Sequence, residues 1–134
     1  GYRPEDIMVI ISPERLNRTK QLLGAAGIKS QIGETEAKDN SVCVIEFMDA
    51  KGIERPNVIV SGIEDLYNAA KAGVTESKDV VSEKEFLSRK KIYIALTRAI
   101  ENLSIIHSDD KNMFVSELMA LNAKVTKNRG KQNA

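Results

Sequence analysis

Cysteine and histidine each occur once in 134 residues, and that scarcity removes whole classes of chemistry. Cys43 has no partner for an internal disulfide. It lies in the apolar run Val42-Cys43-Val44-Ile45, where a thiol behaves as a small buried hydrophobe. A chain that does without disulfides fits a reducing, cytoplasmic setting. His107 is far from Cys43, and neither has ligand spacing around it, so no zinc or iron site is expected. With one histidine there is also no spacing that supports a Ser-His-Asp or Cys-His nucleophile, and His107 reads as a polar strand-end residue.

Charge of one sign is lacking too. A formal net charge of +1 creates no overall field that would attract nucleic acid or an anionic membrane, so any such contact has to be local. No apolar stretch approaches the length of a membrane span, and the start, Gly1 to Met8, has neither a basic leader region nor a long apolar one. No membrane partner is expected. Finally, the chain has no G-x-x-x-x-G-K-[ST] loop and no G-x-G-x-x-G after a strand, so it cannot cradle a triphosphate alone.

What is present is a soluble domain's composition, 42% hydrophobic and 29% charged, in a length that suits one ordinary core. Ile7 to Ile11 is a continuous apolar run, as for a strand buried on both faces of a parallel sheet. Ser12 can cap the helix that follows, with Pro13 at its first position and Glu14 near its positive end. That helix carries Leu16, Thr19, Leu23 and Ala26 on one face and stops at Gly27.

Lys29 to Asn40 reads as a weak strand or loop. Ser41 to Ala50 and Asn57 to Ile63 read as buried strands flanking a polar joint. Glu64 to Ala72 reads as a helix closed by Gly73, Val74 to Glu85 as a charged surface connection, and Phe86 to Ile100 as a long helix. Asn102 to Ser108 is a further strand. Lys111 to Val125 is amphipathic, with Phe114, Leu118, Leu121 and Val125 at helical spacing.

This alternation indicates a three-layer α/β domain over residues 1–125 with a mostly parallel sheet, followed by a flexible basic tail at 126–134. In such sheets chemistry collects at the carboxyl ends of strands. The loops after Ile11, after Met48 and around Arg98 are therefore the places to search.

Two stretches stand out: Val42 to Val60, "VCVIEFMDAKGIERPNVIV", and Arg89 to Ile106, "RKKIYIALTRAIENLSII". Together they resemble the C-terminal RecA-like motor domain of UvrD/Rep-type superfamily 1 DNA helicases. Ala50-Lys51-Gly52-Ile53-Glu54 is similar to that family's A-K-G-L-E segment, motif V. Tyr93 to Ala99, "YIALTRA", is similar to its Y-V-A-L-T-R-A helix, motif VI. The start from Asp6, "DIMVIISPERLNR", resembles a strand and helix of motif IV. The resemblance runs from Asp6 to Ile106 and implies a RecA-like, P-loop NTPase-type fold without its own P-loop. Where motif V usually carries a Thr and a His, this chain has Glu46 and Met48, and their contacts are not carried over. The large insertion that many members carry after the first helix is missing.

The resemblance implies a role for each matched residue. Arg98 would be an arginine finger reaching the γ-phosphate of ATP, because a guanidinium stays charged and presents a planar fork of donors. Spacing alone offers a surface pair with Glu101 instead, worth well under about 1 kcal/mol. Glu54 would accept hydrogen bonds from the nucleotide's ribose, with a solvated loop charge as the alternative. Gly52 permits close approach of backbone to a ligand, and Lys51 reads equally as a phosphate contact or as a partner for an acid.

Arg18, or its neighbour Arg15, would be a second phosphate-sensing arginine, with a solvated helix face as the alternative. Tyr93 and Thr97, one turn apart, would orient the motif VI helix, and Tyr93 reads almost as well as a core or interface aromatic. ATP and Mg²⁺ would be held mainly by an N-terminal RecA-like domain of the same protein, with single-stranded DNA lying across both domains. The same domain in a polymerase-associated remodelling ATPase or a helicase–nuclease is an alternative, as is a non-catalytic α/β interaction module.

Overall fold

The structure, a computed structural model, describes residues 2–33, 36, 40–71, 78–109 and 111–120. Strand β1 (Ile7–Ile11) leads through a 3-10 turn, Pro13–Arg15, into α1 (Leu16–Ala25) and then β2 (Ser30–Ile32). Strand β3 (Val42–Glu46) continues through a second 3-10 turn, Phe47–Ala50, to β4 (Arg55–Ser61). Helices α2 (Ile63–Lys71) and α3 (Lys78–Leu96) precede β5 (Ala99–Ile106), and residues 113–120 are helical.

The five strands lie in the order β2-β3-β1-β4-β5, and every pair is parallel. Central β1 places Met8 beside Cys43 on one flank and Val58 on the other. Its apolar run leaves four of five residues buried, as a two-sided parallel strand requires. The α/β architecture expected of a RecA-like domain is present, with a sheet that is wholly parallel.

Alternation along the strands sends side chains to two unequal layers. Met8, Ile10, Cys43, Ile45, Val58 and Val60 join Phe47, Ile63, Ile92, Ala95, Phe114 and Val115 in the larger core, beneath α2, α3 and the last helical segment. Val9, Ile11, Val42 and Val44 face the other way, against Leu16 and Leu23 of α1. Helix α1 has no fully buried residue, and Ala26, expected on its inner face, is exposed. Cys43 is buried and unbridged, as its apolar setting predicts.

Several sequence-based boundaries move. The charged stretch expected to be a surface connection is helical from Lys78 onward, because Ser88, Ile92 and Ala95 give α3 a buried side that anchors its charged first turns. That helix ends at Leu96, and Ala99 is already in strand. Ser12 stands at the cap position but makes no cap bond: its hydroxyl goes to Asp65 instead. The weak stretch after Gly27 does contain a short strand, β2. Phe114 packs in the core and Leu118 beside it. Leu121, Val125 and the tail expected at 126–134 lie outside the described residues, as do 72–77.

Candidate functional site

The site grows from how β3 reaches β4. Because both strands run the same way, residues 47–54 must return from the carboxyl end of β3 to the amino end of β4, crossing a face of the sheet. Phe47, Ala50 and Ile53 are buried and hold the crossing to the larger core. The polar residues between them emerge at the amino edge: Lys51, Gly52 and Glu54 are exposed. Gly52 has φ +85°, a conformation that favours glycine, and nothing lies within 4 Å of where a Cβ would sit. The backbone there is open to approach.

Helix α3 delivers Arg98 to the same edge. Thr97 Oγ1 donates to the carbonyls of Tyr93 (3.1 Å) and Ile94 (2.9 Å), and Arg98 Nε donates to the Ile94 carbonyl at 3.0 Å. A cation and a hydroxyl thus cap the negative end of the helix. Arg98 Nη2 donates to Thr97 Oγ1 at 3.2 Å. Tyr93 itself is 68% exposed and faces away from the core, so among the described residues it is a surface aromatic.

Arg55, which sequence reasoning passed over, ties the two pieces together. Its backbone N–H donates to the Arg98 carbonyl (3.2 Å), and its Nη1 donates to the Glu54 carbonyl (2.8 Å). Only 9% of this arginine is exposed. Its one sequence signal was a charge at the entrance of an apolar strand.

The carboxyl rim is arranged differently. Ser12 Oγ donates to Asp65 Oδ2 at 2.6 Å, and Arg15 clasps the same carboxylate through Nε (2.6 Å) and Nη2 (3.1 Å). Burial raises the Asp65 pKa, but the bonds from Ser12 and Arg15 outweigh it, and the carboxyl is held below its usual range. The Arg15 guanidinium is pushed up in turn, first by its hydrogen bonds to Asp65. Gly62, at φ +86°, brings the end of β4 so close that an added Cβ would lie 2.8 Å from Ser12 Oγ. Between the ends of β1 and β4, where connections leave in opposite directions and such sheets take ligands, Ser12, Arg15 and Asp65 thus bond to one another, and cavities of about 170 and 190 Å³ remain on either side of Asp65.

Arg98, Glu54, Gly52, Lys51 and Thr97 are brought to one edge. Arg15 and Arg18 are not. Both follow the carboxyl end of β1, whereas Arg98 precedes the amino end of β5, and the seven residues of β4 alone separate those ends by roughly 20 Å. Two expectations are corrected here: Arg98 does not lie at the carboxyl rim, and it cannot share one phosphate with Arg18 or Arg15 of the same chain.

Comparison with known proteins sharpens this picture. The chain is 26% identical over 114 residues to the ATP-dependent DNA helicase PcrA of Leuconostoc citreum, covering 84% of this chain. It is 22% identical over 118 residues to DNA helicase II of Escherichia coli (strain K12), covering 88% of this chain. Its homologues are UvrD/PcrA-type DNA helicases.

The chain spans 14% and 15% of the length of these two relatives, and the match falls in their C-terminal region. No family model matches it. The fold is shared with the C-terminal domain of a possible DNA helicase from Lactobacillus plantarum WCFS1, at a TM-score of 0.52 and 20% identity, over 75% of this chain and 54% of that one. Among the described residues no helix is long and apolar enough to cross a membrane.

Proposed function

We propose that this chain is the C-terminal motor domain of an ATP-dependent superfamily 1 DNA helicase, and that its amino edge forms half of the ATP cleft. The observation that carries the reading is the meeting of Glu54 and Arg98 through Arg55, whose N–H donates to the Arg98 carbonyl at 3.2 Å. Motif V and motif VI, more than forty residues apart in sequence, thus converge where a nucleotide on a neighbouring domain can be met from this side.

The chemistry follows from the donors left over. A guanidinium has five N–H donors; among the described residues Arg98 uses two, on Ile94 and Thr97, leaving three for an anion. Charge spreads over the equatorial oxygens as a phosphoryl group transfers to water. A cation already fixed by its own helix end stabilises that charge without reorganising. Glu54 would accept from the ribose hydroxyls, Gly52 would admit the nucleotide close to the backbone, and Lys51 would contact phosphate. The P-loop and the Mg²⁺ ligands are assigned to an N-terminal RecA-like domain. Arg15 is already occupied by Asp65, so only Arg98 is assigned to the γ-phosphate.

Closure of the two domains around ATP and release after hydrolysis would then step the protein along single-stranded DNA, held mainly through phosphates and so weakened by salt. The test is Arg98→Ala in the full-length parent protein. ATP turnover should fall by about a thousandfold or more, with an unchanged circular dichroism spectrum, and Arg98→Lys should restore little because the fork is lost. Turnover within about tenfold of the unaltered protein would refute the assignment.

A further inference from the structure

The amino edge contains a second device, centred on Tyr2. Pro56 has no N–H to give to the sheet, and the ladder between β4 and β5 slips at that point. Arg55 pairs with Ala99, but Asn57 pairs with Asn102, so Ile100 and Glu101 together stand opposite Pro56. This is a β-bulge, a feature that re-aims side chains at a strand end.

Glu101 follows Arg98 by three residues, with the bulge beginning between them, and spacing alone would pair them. The structure pairs them with other groups. Tyr2 Oη donates its proton to Glu101 Oε2 at 2.5 Å, across 99 residues of sequence. The phenol oxygen accepts from Asn102 Nδ2 at 2.9 Å, and the same amide donates to Asn57 Oδ1, also at 2.9 Å. The hydroxyl is thereby oriented from both sides, and Arg98 turns to Ile94 and Thr97. The Tyr2 phenol is pushed above its usual range, first by the bond to Glu101.

We infer that Tyr2 is a positioning residue for Arg98: by holding the bulged Glu101 carboxylate, it keeps a competing acid off the guanidinium and leaves that cation to a phosphate from another domain. The inference rests on the finger reading of Arg98. Released from Tyr2, Glu101 would act as a tethered anion, close at hand at any nucleotide concentration.

Two arms test it. In the 134-residue chain, the ¹H–¹⁵N signal of Arg98 Nε–H should shift in Tyr2→Phe and return in the double variant Tyr2→Phe/Glu101→Gln. An unmoved signal in Tyr2→Phe overturns the inference whatever the parent protein does. In the full-length parent, Tyr2→Phe should lower kcat for ATP several-fold, Glu101→Gln alone should leave it near normal, and the double variant should recover. A loss that Glu101→Gln fails to rescue overturns the inference, because a merely structural role would not respond to removing that charge. If instead Arg98→Ala keeps full turnover while the Arg98 signal responds as described, the finger reading fails and the Tyr2 clasp stands.

Discussion

The two ends of this sheet use arginine in opposite ways. At the carboxyl rim, Arg15 meets an internal carboxylate in a two-point clasp, with a buried serine hydroxyl completing the set. At the amino edge, Arg98 is bonded, among the described residues, to neutral oxygens of its own helix end. The rim arginine already has its anion. The edge arginine is oriented but not neutralised, the state in which a cation responds to a phosphate arriving from outside. Under the proposed reading the difference has one logic: an arginine bonded to a carboxylate of its own chain holds the rim together, and one capped by neutral oxygens is left to meet a phosphate on another domain.

The comparison breaks most visibly in ATP turnover by the full-length parent. Arg98→Ala is expected to cost about a thousandfold, roughly 4 kcal/mol of transition-state stabilisation, whereas Arg15→Ala and Arg18→Ala should stay within about threefold. A loss of similar size from Arg18→Ala would place the phosphate at the wrong end of this sheet. Steady-state kinetics on the three variants decides it.

Next in size are two glycines with nearly equal φ. Gly62→Ala forces a Cβ against Ser12 Oγ and within 3.2 Å of the Ser12 backbone nitrogen, in addition to the strained conformation. Destabilisation of roughly 3 kcal/mol is expected in urea unfolding. Gly52→Ala meets no neighbour and should cost only about 1 kcal/mol. Equal costs would show that the rim is not packed as tightly as described.

The smallest effect is the rim's response to acid. The Asp65 carboxyl is held below its ordinary value of 3.8, so folding favours the ionised form. That stabilisation is complete above the unfolded value and is lost as pH falls through the folded one. Because Arg15 is 59% exposed, the pair is worth under about 1 kcal/mol. Asp65→Asn should flatten the acid limb of the stability curve below about pH 4 while changing neutral-pH stability slightly. An acid limb unchanged in the variant would assign that limb to other carboxylates.

Much of this was legible in the residues. The continuous apolar runs at Ile7–Ile11 and Val42–Glu46 marked two-sided strands, and both are central in a parallel sheet. Gly52 within its motif marked the open turn that the structure has. The edge that Arg98 occupies was legible too. A residue between a helix and the strand it feeds must enter a parallel sheet at the amino end, yet the expectation followed the general preference of ligands for carboxyl ends. Ser12 was misread for another reason: it has the right identity and place for a cap, and only the arrival of Asp65 from 53 residues away redirects its hydroxyl. Arg55 gave only a charge at a strand entrance and Tyr2 no local signal, since each draws its role from a partner brought alongside by strand pairing.

By itself the sequence determined the elements, the parallel sheet and the two motif segments, because apolar periodicity, helix stops and backbone freedom are written within a few residues. The tertiary structure alone decided which arginine bonds an anion and which, among the described residues, bonds neutral oxygens. That choice depends on which strand ends lie side by side, and strand order is set by burial of the whole sheet rather than by any residue's neighbours in the chain.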